Sequence, residues 1–552
     1  MFNRQPDNKF ATLAFASMLP HHNRMTMEAS TSNHGESDLL EKLIAICGAD
    51  AISTSDADLR FFSQDLFFEG ALPIAVASPS TPAAVVEIVH LCRTSGLSIF
   101  LRGGGMSYTK AFQPTHDNAI MLDFSNLSAI REISVQNQSV TVESGCTWAA
   151  LDASLAKHGL RARFWGPMSG GSATVGGSMS QGTVTFGSGT TGASANAVKS
   201  FEIISGAGEL IRTGSDGSKG TSPFNRNFGP DLTGIFANDA GALGIKTAVT
   251  LETEPRPPHV SGLSFAYDDF DNMAELFSEL SARRLSSEMI AMDGDVARQN
   301  AGPANLVEDA KAMWRIGKAA GNPVAAVGRM AKIAMGGRRF LDKAKYTAHF
   351  VVEGRDKAEL KSRINAIRGF ARSGTEIVNT VPLMTRADPF PVLPVTHPDG
   401  RRMLPIHGVF PASALHDFHL DYSALKARFS EKMDAVDVTV AEFFAGIAGV
   451  GLLYEPVFYW PDALYEYHRR RTPEYLDGQM SVYPENLPAR ELVGEFVEAF
   501  NILVHRHGGG HFQIGRLYPY AENREGGAAT LLRDLKQALD PDNIINPGAL
   551  GL

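Results

Sequence analysis

The sequence predicts an α+β fold in more than one domain, on three observations. The chain has 552 residues, enough for two or three domains around large buried cores. Across residues 119–254, short strand-like runs separated by turn residues are interrupted by a single helix, which suits α+β better than a regular βαβ array. Beyond the proline-rich linker PRPPHV, residues 255–260, strand-like and helical segments alternate again. That pattern predicts a second α+β domain with helices packed on an antiparallel sheet.

Taken in order, residues 1–37 read as a polar tail, with Met25 or Met27 as alternative starts and no apolar signal core ahead of a small-residue cleavage site. ESDLLEKLIAICG (36–48) has apolar residues at helical spacing. PIAVASPSTPAAVVEIVHLCRTSGLSIFLRGGG (73–105) reads strand, turn, helix, strand: SPSTP starts the helix with proline in its first turn, and Gly96 ends it. AIMLDFS, VTVESG, AVKSFEIISGAGELIRT and IKTAVTLETEP follow as strands, with GAG at Gly206–Gly208 as a hairpin turn and TWAALDASLAKHG (147–159) as the helix among them. In the second domain VSGLSFAY, AHFVVEG, MLPIHGVFP and TVAEFFAGIA are strand-like, and AELFSELSARRL and AELKSRINAIRGFARSG are helical.

Composition excludes several classes. A formal net charge of −9 argues against nucleic-acid binding, which calls for a basic surface. Cys47, Cys92 and Cys146 are too few and scattered for a disulfide framework or structural zinc, and fit a reducing compartment. No segment has the roughly 18 apolar residues that a bilayer span requires, so the expectation is a soluble, cytoplasmic protein. One segment complicates this. From Lys311 to Arg339 seven basic side chains and no acidic one interleave with apolar residues; this is either a solvated helix face or a contact with an anionic membrane surface or an acidic electron carrier.

The chemistry sits in two glycine-rich stretches. RGGGMSY, Arg102–Tyr108, follows the apolar run LSIFL; a glycine triplet there is either a plain turn or a nest of backbone N–H groups that binds phosphate without a lysine. The sequence contains neither the dinucleotide GxGxxG at this point nor a GxxxxGK[ST] loop. Residues 166–192, rich in Gly, Ser and Thr, are long for a loop unless they wrap a polar cofactor.

RGGGMSY, LDFSNL, VTVESGCTW, residues 166–192, FGPDLTGIFANDAGALGIKTAVTLETEP and the ending LKQALDPDNIINPGALGL come in an order that resembles the flavoproteins of the vanillyl-alcohol oxidase and p-cresol methylhydroxylase (PCMH) type, which include D-lactate and glycolate dehydrogenases. The resemblance covers roughly residues 69–256 and the last 37. It implies a two-subdomain FAD-binding domain over 38–256, a substrate or cap domain over 257–515, and a C-terminal segment, 516–552, returning to the flavin. Carried over residue by residue, it places Arg102, Gly103, Gly104, Gly105, Met106, Ser107 and Tyr108 around the FAD diphosphate. Pro167, Ser169, Gly176, Gly177, Ser180 and Gly187 fall along the second loop, Gly244 and Ile245 beside the flavin ring, and Asn546 and Pro547 in the closing motif. Some relatives tether the flavin through a histidine directly after the glycine loop. Met106 cannot form that link, so FAD is expected to be noncovalent.

The substrate domain is harder to read. The HxGDGNxH-like and EEH-like metal motifs of hydroxy-acid relatives do not occur, and no metal is expected. His416 and His419 read as helix-surface residues, and His407 as either core or active site. GLLYEPVFYWPD clusters Tyr454, Phe458, Tyr459 and Trp460, as core or as walls of a pocket in which Tyr459 does acid–base work. HRHGGGHFQIGRLYPY, with Arg516 and Tyr518, leads into the returning segment. Arg516 is there to clamp a substrate carboxylate, to hold a phenolate, or to form an interdomain salt bridge.

The expectation is an FAD-dependent oxidoreductase that removes hydride from a CH–OH carbon. The first choice of substrate is a 2-hydroxy acid clamped by Arg516, with His407 or a tyrosine assisting proton removal; the second is a 4-alkylphenol or phenolic alcohol. A non-catalytic flavin-binding subunit is the alternative of another class. Oxygen, a quinone or a cytochrome stays open as electron acceptor, as do a homo-oligomer and a peripheral place at the inner face of a membrane.

Overall fold

The computed structural model describes residues 32–294, 344–377, 381–391, 395–472, 478 and 480–552. The basic segment Lys311–Arg339 and nearly all of the expected polar tail lie outside the described residues. The tail is also shorter than expected, since the first helix already begins at Ser32.

Three sheets organise the described residues. The first orders its strands Ile52–Ser53, Ala75–Ala77, Ala119–Asp123 and Ser98–Arg102, the last three parallel. The crossover helix Pro82–Ser95 forms where the sequence signals place it. Thr81 caps it by accepting from the Ala84 N–H, proline occupies its first turn, and Gly96 ends it in the left-handed region at φ 66°. Its stripe Val85, Ile88, Val89 and Cys92 is buried against that sheet.

The second sheet has six antiparallel strands centred on Ile245–Pro255, which pairs with Ser139–Glu143, Leu160–Ala162 and Val198–Ile204. Val198–Ile204 and Leu210–Arg212 form the expected hairpin around Gly206–Gly208. Only residues 256–258 separate this sheet from the next strand, His259–Tyr267, and Arg256 donates to the Asp152 carboxylate. The expected linker is therefore a tethered corner. Residues 166–192 are not one long loop; they contain the short helices Val175–Gln181 and Ser188–Thr191.

The third sheet has eight antiparallel strands and belongs to the second lobe. Its strand Gly451–Trp460 shows why the aromatics cluster in sequence. Side chains alternate across a strand, so Leu452, Tyr454, Phe458 and Trp460 enter the core with helices Phe270–Arg283, Leu415–Ala435 and Leu487–Arg506. Leu453, Glu455, Val457 and Tyr459 face the other way. At the C-terminus the chain returns to the first sheet: Ile99 donates to the Ile544 carbonyl at 2.7 Å, and Asn546 donates back to Ile99 at 2.8 Å. Among the described residues, no helix is long and apolar enough to cross a membrane.

Candidate active site

A cavity of about 560 Å³ lies between the two lobes. One side is Gly103–Tyr108 and parts of residues 167–185, with Ala240, Gly241, Gly244 and Lys246 behind them. The other side is the free face of the third sheet, from Met292, Phe443, Leu453, Glu455, Val457 and Tyr459, closed by His397, Met403, Pro405, Phe512 and Gln513. The glycines set the first wall. A Cβ on Gly104 would lie 2.0 Å from the Ser172 carbonyl oxygen, and one on Gly103 would lie 2.3 Å from the Thr174 hydroxyl. At Gly104 the two loops therefore meet main chain to main chain, and at Gly103 only the Thr174 side chain comes between them.

Polar groups in this wall lack partners. Ser144 Oγ, Gln181 Oε1 and Thr183 Oγ1 are buried, line the cavity, and bond to nothing among the described residues. An unpaired buried polar group costs about 1–3 kcal/mol, so three of them around one space point to a polar ligand that pairs them. Lys246, also at this end, holds the Asp239 carboxylate at 2.6 Å, and burial lowers its pKa.

Of the residues nominated from sequence, Gly103, Gly104, Gly105, Met106, Ser107, Tyr108, Pro167, Ser169, Gly176, Gly177, Ser180, Gly244 and Tyr459 line the cavity. The Met106 sulfur accepts from Arg471 at 3.4 Å and Tyr467 at 3.9 Å. The others lie behind the wall. Arg102 is buried beneath the loop, donating to the Phe61 carbonyl with its guanidinium over the rings of Phe61 and Phe62. Gly187 donates to Glu288, and Ile245 is core. Asn546 fastens the closing segment to the carbonyls of Ala111 and Ala240 rather than facing the cavity.

Arg516 is the main correction. Its guanidinium donates to the carbonyls of Pro547, Lys110 and Ala111 and to Asn546 Oδ1, between 2.6 and 3.3 Å. With its donors engaged there it has none to offer a substrate anion, and the carbonyl of Pro547 is one of its partners. Tyr518 is likewise spent: its hydroxyl accepts from the His407 N–H at 3.2 Å and its ring stacks on His511. His407 is fully buried behind Phe512, 4.1 Å from ring to ring, and burial holds its pKa well below the usual imidazole range. His416 is exposed as expected, but His419 is not a surface residue, stacking on Phe270 at 4.0 Å and hydrogen-bonding the Tyr454 hydroxyl at 3.0 Å.

Comparison with known proteins agrees with this geometry. The FAD binding domain family matches residues 73–214, and the C-terminal domain of FAD linked oxidases matches residues 482–550. The chain carries an FAD-binding domain and a C-terminal domain of the FAD-linked oxidase type, and these indicate FAD as its cofactor. An uncharacterized FAD-linked oxidoreductase of Mycobacterium tuberculosis is 24% identical over 46% of this chain and 54% of its own length. The glycolate oxidase subunit GlcD of Bacillus subtilis is 26% identical over 45% and 51%. The chain thus spans about half the length of the curated relatives it matches. Among solved structures, p-cresol methylhydroxylase with substrate bound superposes with a TM-score of 0.68 at 16% identity, covering 94% of this chain and 97% of that one, a likeness of fold.

Glu455 is the residue that sequence reading missed in this flavoprotein. It is half-buried on Gly451–Trp460 at the cavity wall and accepts from the Tyr108 hydroxyl at 2.8 Å. Burial pushes its pKa up to about 7, against the pull of that hydrogen bond. A signal was present: in GLLYEPVFYW the one charged residue occupies the same strand face as Leu453, Val457 and Tyr459.

Proposed function

We propose that this flavoprotein is an oxidoreductase taking hydride from a CH–OH carbon of an uncharged substrate, with a phenolic alcohol as the best-fitting class. FAD would be held noncovalently by the loops around Gly103–Tyr108 and Ser169–Gly177, where the unpaired Ser144, Gln181 and Thr183 side chains are available to its polar groups. Bound there, it supplies the two-electron acceptor. The substrate occupies the end walled by the third sheet.

The composition of that end carries the reading. Met292, Phe443, Leu453, Val457, Tyr459 and Phe512 make it apolar and partly aromatic, and Glu455 is its carboxyl. The cations lining the cavity among the described residues are already engaged: Lys246 with Asp239 at 2.6 Å, and His397, when protonated, with Asp399 at 2.7 Å. A substrate carboxylate about 4 Å from ionised Glu455 meets a repulsion of about 4 kcal/mol at an effective dielectric of 20, close to a thousandfold in binding. An uncharged hydroxyl compound avoids it. The hydroxy-acid reading is supported by the likeness to the glycolate oxidase subunit, but its intended clamp, Arg516, is spent on backbone carbonyls.

The test is anaerobic bleaching of the flavin absorbance by vanillyl alcohol, D-lactate and glycolate in separate additions. Vanillyl alcohol is expected to bleach it at least about 100-fold faster than either acid at equal concentration, given the repulsion above. Faster bleaching by D-lactate or glycolate would restore the hydroxy-acid reading.

A further inference from the structure

Resting on the oxidoreductase reading, we infer that Glu455 is the catalytic base for the substrate hydroxyl and that Tyr108 is its positioning residue. The two come from opposite lobes, Tyr108 from the end of the glycine-rich loop and Glu455 from the third sheet, so their 2.8 Å hydrogen bond fixes the carboxyl where the cofactor wall and the substrate wall meet. Tyr108 binds Glu455 Oε1, and Oε2 accepts no hydrogen bond from the described residues. One oxygen is thereby anchored and the other is available to a ligand.

Alternatives for this role are weaker. Tyr459, four residues along on the same face, has its pKa raised to about 12 by burial and by Glu455, so it keeps its proton near neutrality. Tyr108 is raised further by the same causes and stays a donor. His407 lies behind Phe512, and neither it nor Tyr518, whose hydroxyl is bonded to the His407 N–H, lines the cavity. The groups that face Glu455 are Tyr108 from the loop, Tyr459 on its own strand, Phe443 across from the neighbouring strand and Tyr518 from the C-terminal segment; none carries a charge near neutrality. Lys246 and His397 elsewhere in the cavity are held by Asp239 and Asp399. Glu455 therefore titrates under burial and one hydrogen bond, and a value of about 7 makes it a base matched to neutral pH.

The step balances. The substrate O–H bond breaks and its proton passes to the Glu455 carboxylate. The electron pair left on oxygen forms the C=O bond, and the carbon-bound hydrogen leaves with the C–H pair as hydride, for which bound FAD would be the two-electron acceptor. Glu455 ends neutral and returns its proton to solvent before the next turnover.

Glu455→Gln and Tyr108→Phe, both FAD-loaded, test this with two readouts. The first needs no substrate: Glu455→Gln melts above the wild type near pH 8.5, with the gap closing near pH 5, because only the wild type must ionise a buried carboxyl. The second is the anaerobic bleaching rate with vanillyl alcohol against pH. The wild-type rate rises through about pH 7, Glu455→Gln is at least about 100-fold slower and flat, and Tyr108→Phe moves the inflection upward by losing the bond that favours the carboxylate. Bleaching by Glu455→Gln within about threefold of the wild type, with the inflection kept, would overturn the assignment of the base, since general-base loss removes at least about 100-fold. An unmoved inflection in Tyr108→Phe would overturn the positioning role. A wild type that neither vanillyl alcohol, D-lactate nor glycolate bleaches would instead sink the oxidoreductase reading, and this inference with it; the two failures differ in which protein is inert.

Discussion

Gly104 and Glu455 mark the two ends of what single residues decide in the cavity. At Gly104 the two loops touch through backbone, so Gly104→Val must separate them or fold around a clash with the Ser172 carbonyl. Overpacking of this kind costs about 1–3 kcal/mol, and it falls on the wall proposed to hold FAD. Purified Gly104→Val is expected to retain less than about a tenth of the wild-type flavin per protein, read from the visible absorbance. An equally yellow protein would remove the loop from the FAD site. At Glu455 the sign runs the other way. Its pKa rises from 4.5 in the unfolded chain to about 7 in the folded one, so between those values the folded protein binds more protons and stability falls as pH rises. The full loss is on the order of 3 kcal/mol, and Glu455→Gln recovers it in thermal melts near pH 8 but not near pH 5. The glycine was legible because a triplet after an apolar run has few uses. The glutamate was legible only once the strand period assigned it a face.

At the scale of elements, local signals served well and tertiary ones did not. The helix Pro82–Ser95 has its cap, its proline and its terminal glycine written in order, and each does what its type predicts. The strand Gly451–Trp460 was visible as an aromatic cluster, but which aromatics build core and which build cavity depends on what packs on each face. Arg516 had no local signature at all, because its partners Lys110, Ala111, Asn546 and Pro547 come from two distant segments. Its role is to clasp the returning C-terminal segment to the stretch just after the glycine-rich loop. Arg516→Met is therefore expected to lose about 3 kcal/mol, in line with breaking charge-assisted buried hydrogen bonds. Hydrogen exchange should accelerate over residues 544–552 and in the neighbouring strand Ser98–Arg102, while KM for any bleaching substrate stays within about twofold, since a backbone clasp makes no substrate contact. A KM rise of about 100-fold with normal exchange would reinstate the carboxylate clamp.

For the whole molecule, one sheet's strand ends at Pro255 and the next sheet's begins at His259 within the proline-rich PRPPHV, but the way the lobes close on each other was not legible, because contacts between distant segments leave no periodicity. The closure is ionic as well as apolar. Arg161, beside the central strand of the second sheet, donates to both oxygens of Glu353 on the third sheet at 2.6 Å each, and Arg386 joins Glu353 to Glu288. The guanidinium of Arg386 lies 4.7 Å from the centre of the Trp165 ring. Arg386 and Arg161 hold the Glu353 pKa below its ordinary value against the effect of burial. The stability from Glu353 is thus present above its unfolded pKa of 4.5 and is lost as pH falls through its lower folded value. Removing Arg161 leaves two buried carboxylates to one arginine, a loss of about 3–5 kcal/mol by the behaviour of broken buried pairs. Because Arg161 bridges the lobes without lining the cavity, Arg161→Met should lower the calorimetric melting temperature and weaken FAD retention together, with the deficit largest near neutral pH and shrinking below about pH 4.5 as Glu353 takes a proton in both states. A variant that melts lower but holds FAD as tightly as the wild type would mean that the cofactor needs only the first lobe. The ion cluster would then stabilise the cap without shaping the cavity.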